Sequence, residues 1–185
     1  MAKKKKSGPS AQYRWAFTVF LMAVALSAVL SLASESMLSG AGVAAALLML
    51  AVFIGLGILF DIIGVAVTSA DPRPFHAMAS HKEKGAKQSL MLLRNAERVA
   101  SVCNDVVGDI CGIVSGATGA VIVTQLQRAL NMRTVLFSVA VTALVSGLTI
   151  GGKALGKTFA IKRSTKVVYW AGRFLHLFRF SRKKR

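Results

Sequence analysis

The sequence predicts an all-α integral membrane protein with about four transmembrane helices and amphipathic helices beside the membrane. Hydrophobic residues make up 54% of the chain and charged residues 17%, and the mean hydropathy is +0.57. A soluble domain of 185 residues could not cover that much apolar surface. Because lipid offers no hydrogen-bond partner to an open strand edge, the spanning segments are expected to be helices.

The charged residues leave four long apolar segments between them. No Asp, Glu, Lys or Arg occurs in residues 15–34, 36–60, 110–127 and 134–152. About 20 apolar residues, at ~1.5 Å each, cross a hydrocarbon core of roughly 30 Å. We therefore predict spanning helices near residues 14–34, 43–69, 103–126 and 133–152, within a single domain of residues 14–180.

The net charge of +17 is explained by topology rather than by nucleic-acid binding. In the four-span arrangement, all but two of the 24 Lys and Arg residues lie on one side, the exceptions being Arg128 and Arg133. This is the positive-inside pattern. It predicts a multi-pass protein of the cell membrane with both termini in the cytoplasm, near anionic lipid and without a nucleic-acid partner.

The first apolar segment allows two interpretations. Residues 1–13 form a basic arm, and lysines followed by an apolar run and small residues also describe a secretory signal peptide. The run is long for a signal peptide and its cleavage site is imperfect, so we expect this span to be retained. Cleavage would leave three spans and an external N-terminus.

Residues 75–99 are predicted to form one or two short amphipathic helices on the cytoplasmic side. Pro72 and Pro74 precede this segment and are expected to end the second span. Its composition favours helix, with interruptions expected near Gly85 and Asn95.

Residues 158–180 predict an amphipathic helix lying on the membrane surface, followed by a basic tail at 181–185. Apolar residues recur at helical spacing from Val167 onwards and are surrounded by basic side chains. This pattern favours contact with anionic lipid, although a helix packed on a partner protein remains the alternative. The residues expected at the surface are Lys162, Arg163, Lys166, Trp170, Arg173 and Arg179.

Three of the seven acidic residues, Asp61, Asp105 and Asp109, fall within or at the edge of predicted spans. A carboxylate inside a bilayer costs several kcal/mol and usually has a partner or a function. Asp61 and Asp109 are expected in the cytoplasmic third of the membrane on different helices, where they could meet. At 100° per residue, Asp105 and Asp109 share a face with glycines suited to close helix packing. These glycines are Gly108, Gly112 and Gly116.

The acidic residues allow two kinds of site. The carboxylates, together with Asn104 and Ser115, offer oxygen ligands suited to a hard cation such as Mg²⁺. Alternatively, the carboxylates pair with Lys153 or Lys157 at the inner end of the fourth span.

No residue pattern indicates an enzyme. The chain has no Walker loop, dinucleotide fingerprint or nucleophile elbow. Cys103 and Cys111 would lie about 12 Å apart along one helix, which is too far for a disulfide.

Short motifs from the middle of the chain onwards resemble the transmembrane domain of CNNM/CorC magnesium transporters. Gly85-Ala86-Lys87 and Glu97-Arg98 flank a leucine-rich stretch, as the family's Gly-Ala-Lys and Pro-Glu-Arg motifs do. Residues 115–120 are similar to its Ala-Gly-Ala-Leu-Gly-Ala. Residues 152–160 are similar to its Gly-Glu-Ile-Ile-Pro-Lys-Thr-Leu-Ala. The resemblance covers about residues 43–180.

The resemblance implies a three-helix core with a helical juxtamembrane belt, usually dimeric, that exports Mg²⁺ in exchange for Na⁺. It places Asp61 where the family has a serine and Lys153 where it has a glutamate, and the CBS-domain pair is missing. Two hypotheses follow. The breadth of the resemblance favours a minimal cation transporter that binds Mg²⁺ or Na⁺; the alternative is a non-transporting scaffold or regulatory partner in which Lys153 neutralises the former ion site.

Overall fold

The computed structural model describes residues 9–38, 42–129, 131 and 135–182, and within these residues the protein is helical with no strand. In chain order the helices are α1 (Pro9–Leu38), α2 (Val43–Ser69), α3 (Arg73–Ser80), α4 (Ala86–Arg94), α5 (Ala96–Ser101), a π-helix (Val102–Gly108), α6 (Asp109–Ala129), α7 (Val135–Lys162) and α8 (Ser164–Arg182).

Four helical segments are long and apolar enough to cross a membrane, which confirms the predicted fold class. They are Tyr13–Ser36, Val43–Ser69, Ala96–Ala129 and Val135–Lys162. The third combines α5, the π-helix and α6, so it begins before the predicted residue 103. The fourth continues well past the predicted end at residue 152, because the lysines that suggested an end are carried within the helix.

The second helix, α2, lies at the centre of the bundle and packs against α5, the π-helix, α6, α7 and α8. Glycines allow α7 to approach it closely. A Cβ atom at residue 152 would collide with Ile58, and one at residue 156 would lie 3.0 Å from Cγ1 of Ile62. This contact brings the intervening Lys153 to the surface of α2.

The first helix, α1, packs on the π-helix and α6. Its partly buried residues Val19, Ala23, Leu26 and Leu30 contact a core cluster formed by Phe53, Val106, Ile110 and Val114. The hydroxyl groups of Ser34 and Thr118 share a buried hydrogen bond of 3.2 Å. Near the other end of α1, Cζ of Arg98 lies 5.2 Å from the ring centre of Trp15. The first helix is therefore held at both ends.

Helices α3, α4, α5 and α8 form a layer at one end of the bundle, which we call the belt. The buried side chains Phe75, Leu92 and Val168 join belt helices to α2 and α7 through a shared core. The breaks between belt helices fall at Gly85, whose φ is +96°, and at Asn95. Both positions are the interruptions expected from the sequence.

The crossing of α4 and α8 depends on small residues. The Ser89 hydroxyl donates to the carbonyl oxygens of Gly85 and Val168, each at 3.1 Å. A Cβ atom at residue 172 would lie 2.8 Å from the Gly85 carbonyl oxygen and would collide with the Ser89 hydroxyl. The positive φ at Gly85 favours glycine, because L side chains rarely adopt it. Glycine at both positions therefore permits the contact.

Candidate functional site

Asp61 is a buried carboxylate within α2, one of the four candidate membrane spans. Its residue exposure is 3%, and it lies on the side of α2 that faces the π-helix and α7. A buried ionised carboxylate requires a compensating charge or hydrogen bonds. The partner of Asp61 comes from α7.

The ammonium group of Lys153 lies among three oxygen atoms from three segments of the chain. Its Nζ atom is 3.1 Å from Oδ2 of Asp61 and 3.5 Å from Oδ1 of Asp109. It also donates a hydrogen bond of 3.1 Å to the carbonyl oxygen of Gly108. A lysine ammonium has three N–H donors, so these contacts match its full donor capacity.

Gly108 allows the carboxylate and the ammonium to approach the helix backbone. A Cβ atom at this position would lie 2.5 Å from Oδ1 of Asp61, so a side chain here would displace the carboxylate. Gly108 is the last residue of the π-helix. Such widened turns in longer helices occur frequently at functional sites.

The two remaining predicted carboxylates have different surroundings. Asp109 begins α6 and reaches Lys153, yet its side chain is 65% exposed. Asp105 accepts a hydrogen bond of 2.9 Å from Ser101, one turn earlier in the same segment. The prediction that Asp105 and Asp109 share one face assumed a regular α-helix, and the π-helix changes the angle between them.

Asn104 lies beside the cluster with a buried oxygen that has no hydrogen-bond partner among the described residues. A Cβ atom at Gly64 would collide with its amide group, so the side chain packs directly on α2. Gly64 is three residues beyond Asp61, on nearly the same face of that helix. The Asn104 oxygen is thus a candidate ligand next to the ion pair.

The other predicted site residues lie away from the cluster or contact other groups. The Ser115 hydroxyl is buried and donates to the Cys111 carbonyl oxygen of its own helix at 2.6 Å. Lys157 is exposed and forms no ion pair within the described part of the chain. A Cβ atom added at Gly112 or Gly116 would lie in open space, so neither glycine makes a close helix contact with the described residues. Only Gly108 of the predicted glycine stripe packs closely.

The predicted membrane-surface residues lie on α8 and at the end of α7. Lys162, Arg163, Lys166, Trp170 and Arg173 are exposed, and the side chain of Arg179 lies outside the described residues. Where they lie relative to lipid stays a prediction.

The arrangement around Lys153 is chemically that of a cation held by oxygen atoms, with the cation provided by the chain itself. Within the described ranges, no group of three or more His, Cys, Asp and Glu side chains is placed to hold a metal ion. Asp61, Asp109 and the Gly108 carbonyl are the oxygens that a hard cation would use. The ammonium already contacts all three.

The glycines of α2 and α7 that allow close helix packing around the cluster were not identified as site residues from the sequence. Gly57 packs against Cys111, whose Cβ atom lies 3.2 Å from a Cβ placed at residue 57. Gly152 and Gly156 flank Lys153 with the spacing small-x-x-x-small, which is typical of close helix contacts in membranes. This spacing is the sequence pattern from which the close contact of α7 could have been predicted.

Comparison with known families places most of this structure in one of them. The model of the "Cyclin M transmembrane N-terminal domain" matches residues 47–181, which run from α2 into α8 and leave α1 outside the match. The family is associated with divalent cation transport and is not a family of enzymes. No curated protein and no solved structure matches the chain. The match covers well over half of the sequence and confirms the family resemblance of its motifs. The chain therefore belongs to the Cyclin M (CNNM) transmembrane domain family.

Proposed function

We propose that this protein is a multi-pass membrane protein in which Lys153 supplies the cation of the intramembrane site. In this proposal the site does not carry Mg²⁺ across the membrane, and the protein acts as a scaffold or regulatory partner. The observation that supports it is the placement of the Lys153 ammonium within 3.5 Å of oxygens from Asp61, Asp109 and Gly108.

Electrostatics supports this assignment. A divalent ion 4 Å from a fixed ammonium is repelled by roughly 8 kcal/mol at an effective dielectric constant near 20. The ammonium also neutralises one of the two carboxylates that would attract the ion. A metal ion would therefore have to displace Lys153 from Asp61 before it could bind there.

A second candidate function is a minimal cation transporter that binds Mg²⁺ or Na⁺. Two observations favour it: the buried Asn104 oxygen lacks a described partner, and the Asp109 side chain is 65% exposed. In this alternative, Lys153 leaves the carboxylates when an ion enters, and an Asn104–Asp61–Asp109 set binds the ion.

Flux measurements in liposomes distinguish the two functions. The purified protein is reconstituted with a Mg²⁺-sensitive dye inside, and Mg²⁺ is added outside. We expect the wild type to match empty liposomes, whereas Lys153→Gln, which removes the internal cation, gains Mg²⁺ entry. The further variant Asp61→Asn/Lys153→Gln should lose that gain.

Lys157→Gln is the matched control, because it removes a lysine one turn away that has no carboxylate partner in the described structure. It should behave as the wild type. Mg²⁺ flux through the wild type that is abolished by Asp109→Asn would overturn the proposal and establish the transporter.

A further inference from the structure

The eighth helix has two sides with different surroundings. Val168 and Gly172 are buried against α4, where Ser89 contacts both. At 100° per residue, these two lie on the opposite side of the helix from Trp170. Lys166, Arg173 and Leu177 lie within about 60° of Trp170 on the same projection. We call the side formed by Lys166, Trp170, Arg173 and Leu177 the outer side of α8.

The outer side combines exposed apolar and cationic groups. Trp170 is 66% exposed and Leu177 is 70% exposed, which are high values for large apolar residues. Cζ of Arg173 lies 5.7 Å from the ring centre of Trp170, so the guanidinium covers the aromatic face. Tryptophan and arginine have apolar bodies and polar ends, which suit the boundary between hydrocarbon and headgroups.

The position of α8 in the chain places this side at the membrane boundary. It begins at Ser164, with one residue between it and the end of α7 at Lys162, and α7 is a candidate span. Residues 164–182 contain four Lys or Arg side chains, one histidine and no Asp or Glu. The basic residues of this end of the bundle predict the cytoplasmic side, where anionic lipid is concentrated.

We propose that the outer side of α8 binds the headgroups of anionic phospholipids, with Lys166 and Arg173 contacting phosphate and Trp170 and Leu177 entering the acyl boundary. A second copy of the chain is a less suitable occupant. A two-fold contact would place the same side on both copies and bring their basic groups together. Lysine is also depleted at the centres of protein interfaces.

Fluorescence of Trp170 tests the proposal in the full chain. The sequence has two tryptophans, so Trp15→Phe leaves Trp170 as the single emitter. The protein is reconstituted in phosphatidylcholine containing equal fractions of either brominated phosphatidylglycerol or brominated phosphatidylcholine. We expect quenching by the anionic lipid to indicate about thirtyfold tighter association, the factor that two surface basic residues contribute at about 1 kcal/mol each. The preference should decline at high salt.

The double variant Lys166→Gln/Arg173→Gln should remove the preference. Lys82→Gln/Lys84→Gln is the matched control, since it removes the same charge from the exposed turn between α3 and α4. Equal quenching by both lipids, or quenching by neither, would overturn the proposal; the latter result would indicate a protein covering Trp170.

Native mass spectrometry of the unmodified protein provides a second measurement if Trp15→Phe is unstable. The wild type should retain more phosphatidylglycerol than phosphatidylcholine from an equal mixture, and Lys166→Gln/Arg173→Gln should retain the two equally. An unchanged preference in that variant would assign the lipid to another surface and refute the role of α8.

Discussion

The ammonium of Lys153 on α7 lies 3.1 Å from the carboxylate of Asp61 on α2, and Asp61 is 3% exposed. Helix α2 packs against both α7 and α6, and the two contacts meet around this pair. Replacing one member leaves a charge inside the membrane domain with too few partners. This relationship determines both the stability of the domain and the proposed function.

We expect Asp61→Asn and Lys153→Gln each to lower the free energy of unfolding by roughly 3–5 kcal/mol, the usual cost of breaking a buried pair. The double variant should cost much less than the sum, because no buried charge is left uncompensated; Asp109, which also loses Lys153, has a side chain that is 65% exposed. Reversible unfolding in mixed micelles measures the free energy of unfolding of all three variants. Additive costs would show that the two side chains do not interact. As the control, Lys157→Gln should have a free energy of unfolding within about 0.5 kcal/mol of the wild type.

Lys153→Glu should convert the site into one that requires a cation. The new carboxylate would face Asp61 and Asp109, so the variant should melt lower than the wild type in chelator. Mg²⁺ at 100 times its dissociation constant would restore about 2.7 kcal/mol. Melting temperatures with and without Mg²⁺ provide the measurement. Lys157→Glu makes the same charge change elsewhere and should show no Mg²⁺ response; a response there would indicate unspecific binding.

Gly108→Ala should destabilise the protein by about 1–3 kcal/mol, the usual cost of overpacking. The added Cβ would lie 2.5 Å from Oδ1 of Asp61 and would push the carboxylate from Lys153. Gly112→Ala is the matched control in the next turn, because its Cβ meets open space. Because alanine has the higher helix propensity, Gly112→Ala should leave the free energy of unfolding unchanged or raise it by up to about 1 kcal/mol. Equal effects of both substitutions in unfolding experiments would contradict the close packing at Gly108.

Gly172→Ala should loosen α8 from α4 without disturbing the spans, because the new Cβ would meet Ser89 and the Gly85 carbonyl. Amide hydrogen exchange should then accelerate in residues 86–94 and 164–177 while α2 stays protected. Gly147→Ala, in open space on α7, serves as the control. Unchanged exchange in α4 would show that the crossing tolerates a side chain.

The first helix should remain in the mature protein. It packs on α6 through Val19, Ala23 and Leu26, and its Ser34 shares a buried hydrogen bond with Thr118. Intact-mass spectrometry of the protein purified from membranes shows whether the first helix is cleaved. A mass that lacks the first 34 or so residues would support the signal peptide, whereas the full mass supports four spans.

Much of the fold was predictable because each span carries its own signal. Charge-free segments identify helices that must cross the membrane, and Gly85 and Asn95 interrupt the belt helices where expected. Helix ends were less predictable. Lys153 would mark the end of a span if it lay in water, but it is satisfied by Asp61 and Gly108, so α7 continues.

The residues of the site were easier to predict from the sequence than their geometry. Asp61, Asp109 and Lys153 are unusual in a membrane domain, and the sequence alone left open whether they bind an ion or one another. A helical wheel could not place Asp105, because it assumes 100° per residue through residues 102–108. The sequence of those residues carries no clear signature of a π-helix.

The π-helix also affects how this chain should be compared with shorter relatives. A π turn holds one more residue than an α turn, so losing one residue between Val102 and Gly108 could restore α-helix while Asp109 still faces Lys153. Losing a residue within α6 would rotate one half of that helix by about 100° relative to the other. In an alignment, single-residue gaps in this helix are therefore expected to fall in the π segment, where the ion pair tolerates them.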